Sequence, residues 1–338
     1  MQRSWAVLLA AALLAESAAG IVTSDTVGSH VVTPGVSAFG LNLDGVAIVG
    51  GAPPLGPPIG VCSGALVSDM HLLSAAHCFD ENNDGQLESP MAPFPDSVVF
   101  ELAGGQVAIE YDIQSVQLPD SWPLVNADLA VITLSEPAPA DIPRYALYRG
   151  SDEVGQPIVL AGYGNPGHGA TGEDTLGDAQ PTKRAGLNRY DAIRDDMPGV
   201  DFLAYDFDSG LPENNALALI GFGSDLGFGV DEVGTTPGDS GGPVFIGHAI
   251  AGVTALGARL PGADVNDVTD SSWGESGFDT RVSMFRDFLL EATDGAVFFV
   301  PEPSALLLWA VGCTCVSIMP IRRRHSGERD RKPVSETA

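Results

Sequence analysis

From Ile21 to about Gly295 the chain carries no long amphipathic helical pattern, and this limits its fold more than any other feature. A helical domain needs apolar residues recurring every three to four positions over ten or more residues, and a parallel sheet needs such helices between its strands. Short β-prone runs recur here instead: Val46 to Val49, Ala65 to Val67, Val98 to Leu102, Val107 to Tyr111, Leu129 to Leu134, Ile158 to Ala161, Leu217 to Phe222, Val244 to Ile246 and Ile250 to Ala255. Breaker-rich segments separate them, notably Gly50 to Pro58 and Gly162 to Gly177. One late helix is expected over Val282 to Ala292, where Val282, Phe285, Phe288 and Leu289 share a face. No internal repeat is visible. Many short strands ending in a helix imply an all-β domain, best arranged as a pair of packed β-barrels.

The two ends have a different grammar. Residues 1–20 begin with Arg3, run through an apolar stretch from Trp5 to Ala15 and finish in small residues, the layout of a signal peptide. Cleavage after Ala19 or after Gly20 fits, and the second would free Ile21. At the other end Val300-Pro301-Glu302-Pro303 precedes an apolar stretch from Ser304 to Met319 and then Arg322-Arg323-Arg324. A short apolar helix trailed by arginines reads as a membrane stop. Together with the Pro-Glu-Pro it resembles the PEP-CTERM sorting signal, which implies an exosortase-type partner and a surface or secreted destination. The expected organisation is a signal peptide (1–20), a folded domain (21–298), a sorting or membrane segment (299–325) and a polar cytoplasmic tail (326–338). With 44 acidic against 16 basic residues the formal charge is −28, which argues against nucleic-acid binding.

In an exported chain thiols oxidise, so Cys62 and Cys78 are the expected disulfide, closing a small loop that contains His77. Cys313 and Cys315 lie in the apolar tail.

The strongest chemical signal is Thr236-Pro237-Gly238-Asp239-Ser240-Gly241-Gly242-Pro243. A nucleophilic hydroxyl needs a tight turn with backbone N–H groups aimed at the oxygen that becomes negative during acyl transfer, and the glycines permit it. Gly238 and Ser240 would donate those two N–H groups. Upstream, Leu73-Ser74-Ala75-Ala76-His77-Cys78 offers a general base pinned beside a half-cystine. Asn126-Ala127-Asp128, at the mouth of the apolar strand Leu129 to Leu134, offers a carboxylate to orient the imidazole.

These segments, in the order His, Asp, Ser, resemble the trypsin/chymotrypsin family of serine endopeptidases. So do Ile158-Val159-Leu160-Ala161-Gly162-Tyr163-Gly164, Gly252 to Gly257 and Gly277 to Val282. The resemblance spans about Ile21 to Ala292. It implies two six-stranded antiparallel barrels, with His77 and Asp128 from the first and Ser240 from the second, acting on a protein or peptide substrate without a required cofactor. It also implies an activating amino terminus paired with Asp239. Ile48-Val49-Gly50-Gly51 copies the usual tetrad but leaves too few residues before Cys62 for the first strands, so Ile21-Val22 is the expected partner. The position that commonly sets substrate preference falls on Gly234, with Gly257 and Gly277 as open pocket walls and Asp231 or Glu232 as nearby acids. Thr236 stands where a second disulfide is common. A catalytically inactive, surface-displayed binding protein on the same fold is the alternative, disfavoured by the presence of all three reactive side chains.

Two acidic stretches remain. Asp80, Asn82, Asp84 and Gln86 have the alternating spacing of a calcium loop, although Met91 occupies the twelfth position and Glu88 would have to substitute. Asp201, Asp206 and Asp208 read as a solvated loop.

Overall fold

The computed structural model describes residues 21–24, 30–51, 59–80, 82–87, 96–102, 109–123, 127–175, 181–194, 201–223 and 225–300. The expected signal peptide and the tail from residue 301 onward fall outside them. No helix among the described residues is long and apolar enough to cross a membrane.

The chain enters through a two-residue strand, β1 (Val22–Thr23). Six strands follow: β2 (Val46–Gly51), β3 (Ile59–Leu66), β4 (His71–Ser74), β5 (Ser97–Phe100), β6 (Ile109–Gln117) and β7 (Ala130–Leu134). They close an antiparallel barrel in the order β2-β3-β4-β7-β6-β5. The Ile48 to Gly51 tetrad is thus an interior stretch of a barrel strand, paired with both β3 and β5.

The rest of the chain forms β8 (Ala146–Leu147), β9 (Pro157–Gly162), β10 (Gly167–His168), β11 (Gly172–Glu173), β12 (Arg184–Arg189), β13 (Ala192–Arg194), β14 (Phe202–Asp206), β15 (Val233–Gly234), β16 (Pro243–Ile246), β17 (Ala249–Arg259) and β18 (Glu275–Arg281). Seven of these run β12-β9-β16-β17-β18-β14-β13, with β8 added in parallel to β17. A small sheet, β11-β10-β1-β15, ties the entering segment to the second half.

The second half therefore differs from a six-stranded barrel closed by backbone pairing. Across the gap between β12 and β14 the Asn188 side chain stands in for a ladder: its Nδ2 donates to Asp206 O and to Val233 O, both at 2.9 Å. Strands β12 and β18 escape the sequence pattern because charged or small residues interrupt their apolar runs. The segment 217–222, expected as a strand, instead contains the short helix α1 (Ala216–Leu219), capped by Asn215 accepting Ala218 N–H. The late helix begins as a 3₁₀ turn, Val282–Phe285, and continues as α2 (Arg286–Ala292). Asp206 and Asp208 are buried rather than solvated. Asp206 Oδ2 accepts Leu217 N–H at 2.8 Å, and Asp201 pairs with Arg281 at 3.4 Å.

Period-two alternation divides the apolar residues among four cores, three of which meet β2 and β9. Along β2, Ala47 and Val49 point into the first barrel, while Val46 and Ile48 face the seam between the two halves. Along β9, Val159 and Ala161 face the same seam, and Ile158 and Leu160 pack inside the second half. Val282, Phe285 and Leu289 close the seam from the end of the chain.

Cys62 and Cys78 are joined as expected, with Cα atoms 6.3 Å apart across a separation of 16 residues. Cross-linking a loop of that length restricts the unfolded chain by about 3 kcal/mol. Replacing both cysteines by serine is expected to lower the unfolding free energy by about that amount, read as a lower urea midpoint with an unchanged slope.

Candidate active site

The loop from Ala75 to Phe79 turns through a short 3₁₀ segment, Ala76–Cys78, that carries His77 out of the first barrel. Asp128 lies just before β7, 6% exposed, and meets this turn twice. Its Oδ2 lies 2.7 Å from His77 Nδ1, and its Oδ1 accepts the His77 backbone N–H at 3.0 Å. Both ring tilt and tautomer are fixed by one carboxylate, leaving Nε2 free of that contact. From the opposite side Thr280 Oγ1, on β18, donates to Asp128 O at 2.8 Å. Burial lowers the proton affinity of His77, but the hydrogen bond and charge of Asp128 outweigh it, so the pKa lies above the ordinary imidazole value.

Ser240 arrives on a turn from the second half. Asp239 N–H donates to Thr236 O and Gly242 N–H to Asp239 O, closing the turn. Gly238 and Gly241 have φ of +99° and +80°. At Gly241 a Cβ would stand 2.2 Å from Ser74 Oγ and 2.4 Å from Ser63 O, so no other residue fits between the halves there. Ser240 O accepts Ser63 N–H at 2.8 Å and lies 4.0 Å from Cys78 Sγ. The Ser240 turn is thus docked against the half-cystine that follows His77. Among the described residues the Gly238 N–H, the Ser240 N–H and the Ser240 hydroxyl make no hydrogen bond. Two amide donors and a hydroxyl are left available to a ligand.

Asp239 is buried beneath this turn. Its Oδ1 accepts Gly164 N–H at 2.8 Å, and its Oδ2 accepts Thr236 N–H at 2.9 Å and Thr236 Oγ1–H at 3.1 Å. Burial nevertheless pushes its pKa up to about 6, against those hydrogen bonds. Ile21 is buried too, and Val22 pairs with Gly167 on one side and Gly234 on the other, threading the entering segment into the same region.

A cavity of about 280 Å³ opens beside Ser240. Of the three glycines expected to shape a pocket, Gly257 lines it, while Gly234 and Gly277 do not. A Cβ on Gly234 would meet the Phe207 ring at 3.1 Å, and one on Gly277 would lie 2.2 Å from the Tyr205 ring. Their missing side chains accommodate the protein's own aromatics. Neither Asp231 nor Glu232 lines the cavity; Glu232 is buried and accepts Phe228 N–H.

The acidic loop after His77 turns its oxygens onto its own backbone. Asp80 Oδ1 accepts Asp84 N–H, and Asp80 Oδ2 accepts Gly85 N–H and Trp122 Nε1–H, each of these last two at 2.7 Å. Asn82 Oδ1 accepts Asp84 N–H, and Asp84 Oδ1 accepts Gln86 N–H. The loop is a run of side-chain-capped turns over a buried Asp80. Among the described residues, the one close group of metal-ligand types is Cys62, His77 and Cys78, whose sulfurs are committed to the disulfide. Sequence reasoning missed Ser63 and Thr280, which hold Ser240 and Asp128 by hydrogen bonds to backbone; no motif marks either residue.

A closed six-stranded barrel packed on a second antiparallel sheet, with a His–Asp pair and a glycine-flanked serine at the seam, is the trypsin-like fold. Residues 57–215 match the Trypsin family, a stretch that contains His77 and Asp128. The chain is 26% identical over 203 residues to the snake venom serine protease Haly-2 of Gloydius brevicauda, covering 60% of this chain and 69% of that protein. Among solved structures it is similar to a mutant of human heparin binding protein, with a TM-score of 0.51 and 19% identity over 80% of this chain and 97% of the other. In fold, and over residues 57–215 in sequence, the chain is similar to the trypsin-like serine proteases.

Proposed function

We propose that this chain is an exported serine endopeptidase in which Ser240 is the nucleophile, His77 the general base and acid, and Asp128 the group that orients the imidazole. Ser240 Oγ attacks the peptide carbonyl, and His77 Nε2 takes its proton and then delivers it to the leaving amine. The carbonyl oxygen, now negative, is received by the N–H groups of Gly238 and Ser240. Water hydrolyses the acyl-enzyme by the same relay in reverse. The observation that carries this reading is the two-point contact of Asp128 with His77 beside a docked Ser240 turn.

Two features of the ends belong with this proposal. A signal peptide cut after Gly20 would give Ile21 an ammonium in the region where buried Asp239 lacks an ion-pair partner among the described residues, making export the activating step. The PEP-CTERM-like tail would direct the protein to the cell surface through an exosortase-type enzyme.

Fluorophosphonate labelling of the secreted protein tests the assignment of Ser240. Wild type is expected to label and Ser240→Ala to remain unlabelled; labelling of both, or of neither, overturns it.

A further inference from the structure

Between the end of β14 at Asp206 and the start of β15 at Val233 the chain turns its acidic side chains inward. Five carboxylates gather there within electrostatic reach of one another: Asp191, Asp206, Asp208, Asp225 and Glu232. Three of them are committed. Asp191 shares a hydrogen bond with Asp206, whose Oδ2 also accepts Leu217 N–H. Asp225 Oδ1 accepts Gly227 N–H at 3.1 Å, and its Oδ2 pairs with Arg189 at 2.9 Å. Arg189 is further engaged through Nη1, which donates to Gly155 O at 2.7 Å.

The other two are not. Asp208 is 4% exposed, and its side chain makes no hydrogen bond or ion pair among the described residues. Glu232 is 1% exposed; its Oε2 accepts Phe228 N–H, and its Oε1 is closed off from solvent without a partner among the described residues. The two side chains approach each other at Gly227, where φ is +78° and a Cβ would stand 2.6 Å from Glu232 Oε2 and 2.9 Å from Asp208 Cβ. Only glycine lets them converge there. Burial, with the charges of Asp206, Asp191 and Asp225 added to it, pushes the Asp208 pKa up to about 8. Buried oxygens without a donor are rare because they are costly, and a bound ion removes the cost.

We infer that Asp208 and Glu232 are the side-chain ligands of a calcium ion that ties the two ends of this segment together. Calcium takes oxygen ligands alone and tolerates irregular geometry, so two carboxylates suffice when carbonyl and water oxygens complete the shell. The site lies in the second half, apart from the Asp80 loop of the first barrel. Its consequence lies nearby: Glu232 leads directly into β15, which pairs with the entering strand β1 and continues into the Ser240 turn. Neither ligand lines the cavity beside Ser240, so the inference holds whether or not the chain is a peptidase.

The test uses the secreted full chain freed of metal, with calcium chloride as titrant. Wild type is expected to bind with a Kd on the order of 10⁻⁴ M by calorimetry, and to melt about 4 °C higher in about 10 mM calcium than in EDTA. Asp208→Asn and Glu232→Gln each keep an oxygen but lose the charge. Both are expected to weaken binding by about tenfold or more and to abolish the shift. In EDTA, Asp208→Asn is expected to melt at or above wild type, since the amide removes an uncompensated buried charge; a merely structural carboxylate would leave the variant less stable in both conditions. Asp84→Asn, in the loop after His77, is expected to bind as wild type does. No shift in wild type, an equal shift in both variants, a lower midpoint of Asp208→Asn in EDTA, or loss of binding in Asp84→Asn alone overturns the inference. If Glu232→Gln does not fold by circular dichroism, Asp208→Asn, which gives up no hydrogen bond, is read against the same outcomes.

Discussion

Alanine at Ser240 is expected to lower peptide turnover by about 10⁴-fold or more while leaving the unfolding midpoint close to wild type. The two halves of this expectation have separate origins. Catalysis would lose the only atom that forms a bond to the substrate. Stability would lose little, because the Ser240 hydroxyl makes no hydrogen bond among the described residues and the residue is anchored through its carbonyl, which alanine retains. Steady-state kinetics on a peptide amide, with a urea titration of both proteins, checks this. A fall of less than a hundredfold would argue that another group does the chemistry.

Asn at Asp128 is expected to cost a similar factor in kcat and to move the acid limb of the pH profile. In the proposed mechanism the base form of His77 is the active one, so activity is present above its pKa and disappears as pH falls through it. Asp128 holds that pKa above the ordinary imidazole value despite burial. An amide removes the charge and presents an N–H or a carbonyl in place of a pure acceptor, which favours the wrong tautomer. Burial then acts alone, and the limb moves to lower pH. Measurement of kcat/KM from pH 4 to 9 for both proteins decides it; a limb that stays in place would mean that another residue titrates.

The residues proposed to carry the chemistry stand out in the sequence because each sits in a short, distinctive setting. A glycine-flanked serine, a histidine beside a half-cystine and an acid before an apolar strand are local patterns, and the disulfide followed from the cysteine pair. The first barrel was legible for a related reason: β2, β5 and β7 are short runs of apolar residues buried on both faces. The second half was not. Strand β12 contains Arg184, Asn188 and Arg189, and its closure depends on one asparagine side chain whose partners lie 18 and 45 residues away. Pocket geometry was least legible of all. Which glycine lines the cavity and which makes room for Phe207 or Tyr205 depends on long-range packing that residue type does not encode.

Ser63 sits on β3 of the first barrel, and its Oγ donates to Gly238 O at 2.9 Å while accepting Tyr163 N–H at 3.0 Å. With its N–H on Ser240 O, one small side chain and its backbone clamp both Gly238 and Ser240 to the opposite lobe. The two halves therefore do not form a jaw: parting them would pull the Ser240 turn off the strand that holds it.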